Sequence, residues 1–120
     1  MLFKPYHIEQ IRDGRKTVTR REWGEDYNAP NAGSVVPATT EMFVPDHEVD
    51  CYIRIVDHYR EPLGELTDAD AQKEGDYETV AEFREGYRRV YGYGAWDPDK
   101  TVDVVEFEYV GRSRADADEQ

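Results

Sequence analysis

Gly14-Arg15-Lys16-Thr17-Val18-Thr19-Arg20-Arg21 sets a glycine, a lysine and two threonines ahead of an arginine pair. Gly-x-Lys-Thr is also half of a phosphate-cradling loop. That loop needs a second glycine five residues before Gly14, where this chain has Glu9, and it runs from a strand into a helix. Here the order is reversed. Residues 5–13 read as a short helix, with Pro5 suited to the first helical position and Ile8 and Ile11 three apart on one face. Gly14 is placed to stop it. Thr17-Val18-Thr19 is β-prone, so the chain leaves the glycine as a strand. Nucleoside triphosphate binding of the P-loop kind is therefore excluded.

Outward from this turn, residues 24–34 hold Gly24, Asn28, Pro30, Asn31 and Gly33 and read as a loop. Val35-Val36 begins a second strand, which Pro37 confines to an edge or a bulge. Residues 38–48 are irregular. Residues 49–59 form the clearest strand: Val49, Cys51, Ile53 and Ile55 alternate with Asp50, Tyr52 and Arg54, which predicts one core face. Thr67 with Asp70 makes a capping box for a short helix closed by Gly75, and Thr79 with Glu82 opens a longer one. Val80, Phe83, Tyr87, Val90 and Tyr91 share a face of that second helix. Gly92, Gly94 and Pro98 end it. Residues 102–110 are a closing strand with Val105, Phe107 and Tyr109 on one side. The order helix, strands, helices, strand does not alternate as a doubly wound parallel sheet does. It predicts an α+β or mainly β chain: a small, mostly antiparallel sheet or barrel flanked by helices, one domain over residues 1–111, with a polar, acidic and frayed tail at 112–120.

Of the 120 residues, 38% are hydrophobic and 35% charged, and the formal net charge is −12. Fifteen aromatic residues (12%) argue for an ordered core against the disorder that such charge permits. The charge is uneven. Residues 1–21 hold six bases and two acids, +4; residues 22–120 hold nine bases and 25 acids, −16. A positive island on a negative body draws an anion locally while the whole repels polyanions. Acids in excess and Arg over Lys, 11 to 4, suit a surface in concentrated salt, as in a halophile, or an ordinary acidic cytosolic protein. No run approaches a membrane span and no signal sequence is seen, so a cytoplasmic protein away from membranes is expected. Cys51 is alone, which excludes a disulfide scaffold and fits a reducing compartment. His7, His47 and His58 are scattered without metal-ligand spacing, so no metal and no cofactor are expected.

The residues able to carry chemistry cluster at the opening turn. A lysine whose pKa falls through burial can take a proton from a threonine hydroxyl, and an arginine fork can hold a phosphate or a carbonyl. Strand alternation puts Thr17, Thr19 and Arg21 on one face and Val18 and Arg20 on the other. The plainer alternative is that Lys16 and Arg21 merely pair with nearby acids. Tyr93 or Trp96, in a glycine-rich aromatic segment, can stack on a base or plug the sheet end.

Gly14, Lys16, Thr17 and Arg21 resemble the Gly-x-Lys-Thr-x-x-x-Arg signature of ASCH domains, relatives of the PUA RNA-binding barrel. The likeness extends over residues 1–111 through the first helix, Gly33-x-Val35, the Leu66-Thr67 helix, the Phe83 helix and the closing strand. It implies a small PUA-like mixed β-barrel with flanking helices and a cleft for RNA or a nucleobase. Thr19 sharpens it. Small members that hydrolyse N4-acetylcytidine carry Gly-Arg-Lys-Thr-x-Thr-x-Arg, as this chain does. By that resemblance the catalytic residues are Lys16, Thr19 and Glu74, with Gly14, Thr17, Arg21, Tyr93 and Trp96 binding the ligand. The partner implied is a modified nucleoside or a short single-stranded RNA. The functions left open are an amidohydrolase of N4-acetylcytidine, a non-catalytic RNA-binding module, and a ribonuclease of single-stranded RNA. The negative body disfavours long RNA, whose phosphates need Lys and Arg.

Overall fold

The computed structural model describes residues 1–118. Helix α1 (Pro5–Arg12) starts with Pro5 at its first turn and ends at Gly14, whose φ of +79° suits glycine. The chain then enters β1 (Val18–Arg21). Strand β2 (Val35–Ala38) follows the loop, and β3 (Cys51–Pro62) and β4 (Thr101–Gly111) are long. All ladders are antiparallel, in the order β1-β4-β3-β2. Pro37 lies in an edge strand, as its missing N–H requires. The sheet is curled into half a barrel, and its β3–β4 ladder shifts register between Ile55 and Asp57. A single parallel bridge, Leu2 to Thr39, adds one rung beside β2.

Between β3 and β4 lie α2 (Asp68–Lys73) and α3 (Val80–Tyr91). The Thr67 hydroxyl accepts from the Asp70 N–H while the Asp70 carboxylate accepts from the Thr67 N–H, closing the predicted box. At α3 the box is different: Thr79 caps Glu82, but the Glu82 carboxylate reaches back to the N–H of Glu78.

Two apolar clusters hold the layers together. Ile8 and Ile11 of α1 pack with Cys51, Ile53, Ile55, Val105 and Phe107. Ala71, Phe83 and Tyr87 of α2 and α3 pack with Val18, Val102 and Val104. Strand β4 therefore buries residues of both parities, because helices cover both faces, where alternation predicts one core face. Tyr109, expected inward, is 37% exposed, and Val110 packs with Tyr52 instead. Where a polar frayed tail is expected, residues 112–118 carry a short helix, α4 (Arg114–Asp118). The Asp116 carboxylate accepts from the N–H groups of Arg112 and Ser113, and Arg114 lies 4.9 Å over the Tyr52 ring. Residues 119 and 120 of that tail lie outside the described residues. Among the described residues no helix is long and apolar enough to cross a membrane, and no group of three or more His, Cys, Asp or Glu could hold a metal ion.

Candidate functional site

A cavity of about 330 Å³ opens between α1, β1 and α3, with the end of α2 at its wall. The turn after α1 builds its floor. Gly14 reverses the chain, the N–H groups of Arg15 and Lys16 both donate to the Gln10 carbonyl, and the Thr17 N–H donates to the Lys73 carbonyl. This last bond joins β1 to the C-terminal end of α2. It brings the Lys16 side chain against Glu74, which caps that helix.

Lys16 is 3% exposed and Glu74 4%. Lys16 Nζ donates to the Val18 carbonyl (3.0 Å), the Glu74 carbonyl (3.0 Å) and Glu74 Oε2 (3.1 Å). Burial pushes the Lys16 pKa below its ordinary value. Glu74 opposes this, and Arg21 and Arg20 add to it. Glu74 is shared: its Oε1 accepts from Arg20 Nη1 at 3.0 Å, and Arg20 Nη2 reaches Glu61 at 2.7 Å. Thr19 Oγ1, 5% exposed with its residue, accepts from Arg21 Nε at 3.1 Å. No hydrogen bond joins Lys16 Nζ to the Thr19 hydroxyl among the described residues. Arg21 Nη2 donates to the Leu2 carbonyl (2.6 Å), and its guanidinium stands 4.9 Å over the Phe3 ring.

Of the residues picked from sequence, Lys16, Thr19, Arg21 and Glu74 line this one cavity. The other four lie elsewhere. Gly14 and Thr17 act through backbone, shaping the turn and stitching α2 to β4, whose Phe107 N–H donates to the Thr17 carbonyl. Trp96 packs on Phe83 and Tyr87, closing the apolar cluster under α3. Tyr93 is 74% exposed and away from the cavity. Sequence alternation set Arg20 apart from Thr19, yet both reach the cavity, because a guanidinium on an edge strand is long enough to do so. Tyr6 and His7 on α1, Tyr77, and Val90 and Tyr91 on α3 also line it. The shared face of α3 gave a hint of the last two; the others come from segments far apart in sequence. His7 is held at about 4, first by burial and then by repulsion from Lys16, Arg21 and Lys4. The Tyr87 hydroxyl donates to Glu22, which also pairs with Lys100.

The backbone is similar to that of an ASCH domain from Lactobacillus crispatus, with a TM-score of 0.70 at 16% identity over 92% of this chain and 77% of that one. The fold is that of ASCH domains. A point mutant of the ASCH protein from Zymomonas mobilis matches at TM-score 0.59 and 14% identity, over 99% of this chain and 77% of that one. A DUF984 protein from Enterococcus faecalis matches at 0.60 and 20%, over 88% and 71%. No family model matches the sequence, and no curated protein does. The ASCH fold therefore rests on shape, with the Gly14–Arg21 turn at the position that shapes the cavity.

Proposed function

We propose that this cavity recognises a single modified cytidine and that the reaction it serves is hydrolysis of N4-acetylcytidine to cytidine and acetate. The observation that carries the reading is the meeting of Lys16, Thr19 and Glu74 in one half-enclosed space, of a size within the range of ligand pockets. In the reaction Thr19 Oγ attacks the acetyl carbonyl and Lys16, in its neutral form, takes the hydroxyl proton. The cytosine amine leaves with a proton, and water then releases acetate from Thr19. Burial favours the neutral lysine that this step needs. Tyr6 and Tyr91, both half-exposed on the rim, offer faces for the base.

A second reading, binding without turnover, is favoured by one observation. Lys16 Nζ has three acceptors within 3.1 Å, the full complement of an ammonium. Incubation with N4-acetylcytidine and detection of cytidine separates the two. Turnover that falls at least about a hundredfold in both Lys16→Ala and Thr19→Ala is the expected result. Binding of N4-acetylcytidine without cytidine release supports the second reading, and loss of intact RNA oligomers in the same assay points to ribonuclease activity.

A further inference from the structure

Four basic side chains face the cavity, Lys4, Lys16, Arg20 and Arg21, against two carboxylates, Glu22 and Glu74. Their charges do not cancel in place. Glu74 is taken by Lys16 and Arg20 together, and Glu22 is turned to Lys100 and the Tyr87 hydroxyl. Arg21 meets only neutral partners: the Thr19 hydroxyl, the Leu2 carbonyl and the Phe3 ring. Among the described residues neither Arg21 nor Lys4 has a carboxylate within ion-pair distance. A partly desolvated cation with no counter-charge in contact is costly, and Glu74 acts on Arg21 only from a distance. A chain with net charge −12 keeps this one at its cavity wall nonetheless.

We propose that the ligand carries a phosphate monoester, seated against Arg21 with Lys4 at the mouth, so that the modified cytidine is held best as its nucleotide. This rests on the nucleoside reading above and specifies it. A dianion matches two unpaired cations, and its oxygens suit the planar fork of Arg21. His7 in the same wall supports it: an imidazole held at about 4 by burial and three neighbouring cations reports a local excess of positive charge.

Calorimetric titration of the full chain at low salt with cytidine, cytidine 5′-monophosphate, inorganic phosphate and acetate tests this. The nucleotide is expected to bind about tenfold tighter than cytidine, an advantage that shrinks below about twofold in Arg21→Gln. Arg21 also holds Leu2 and Phe3, so Lys4→Gln, on an exposed side chain, is the second variant; it weakens the nucleotide about threefold and leaves cytidine unchanged. The His7 midpoint, followed by NMR, moves up from about 4 when phosphate or nucleotide is added. Equal affinity for cytidine and its monophosphate, with the His7 midpoint unmoved, overturns the anion seat and leaves the nucleoside reading standing. Inorganic phosphate binding as tightly as the nucleotide, with no binding of cytidine, keeps the anion seat and removes the nucleoside. Acetate binding as tightly as phosphate overturns the choice of phosphate.

Discussion

Without the Glu74 carboxylate, Lys16 would be buried with only backbone carbonyls to accept from it, while Arg20 would keep Glu61. Breaking a buried pair from one side leaves the other charge uncompensated, so Glu74→Ala is expected to cost about 3–5 kcal/mol in urea unfolding. Tyr93→Ala, on a side chain 74% exposed and away from the cavity, should leave both stability and binding within error. His7 gives a pH signature. Its folded pKa lies at about 4, below the unfolded 6.5, so between these values the unfolded chain binds more protons. Stability contributed by neutral His7 is therefore complete above pH 6.5 and declines as pH falls toward 4. His7→Gln should flatten that part of the urea midpoint against pH; an unchanged slope would show that His7 is not held neutral. At this scale a motif and a segment match point to Lys16, Thr19, Arg21 and Glu74, four residues that line one cavity. The sequence hid Tyr6, His7 and Tyr77, because proximity across a cavity leaves no periodic trace along the chain.

The short helix α2 matters less for its length than for where it stops. Gly75 takes φ of +103°, and a Cβ there would run into the Gln10 side-chain amide. Helix α2 thus ends against α1 with Glu74 aimed into the cavity. Gly75→Ala combines a left-handed backbone with that close approach and is expected to cost about 1–3 kcal/mol, read as a lower urea midpoint. It should weaken ligand binding too, since Glu74 moves with the turn. Helix and strand existence was legible wherever a cap or an alternation marked it: Pro5, Thr67, Thr79 and the Cys51-Ile53-Ile55 series all fall where they were read. What was not legible was which face is covered. Alternation assumes one wet face, and β3 and β4 have helices over both. The α4 turn has a local cap in Asp116, but what docks it on the sheet is Arg114 on the Val35 carbonyl and the Tyr52 ring, contacts outside its own sequence.

At the scale of the molecule, charge sets behaviour toward salt and toward polymers. With net charge −12 the compact state repels itself, and the repulsion is screened over ~10 Å at 0.1 M salt but only ~3 Å at 1 M. The melting temperature is expected to rise by about 5 °C between those salt concentrations. A flat or falling curve would remove the case for a surface suited to concentrated salt. Screening also strips away the repulsion that keeps like molecules apart, and the sheet is open, with β1 and β2 at its margins. Both margins are four residues long, and on β2 Pro37 offers no N–H while Arg114 occupies the Val35 carbonyl. A neighbouring chain therefore finds too few free backbone groups to template onto. Light scattering of the protein concentrated in brine is therefore expected to show no fibrils, which would link a single proline at the sheet margin to colloidal endurance.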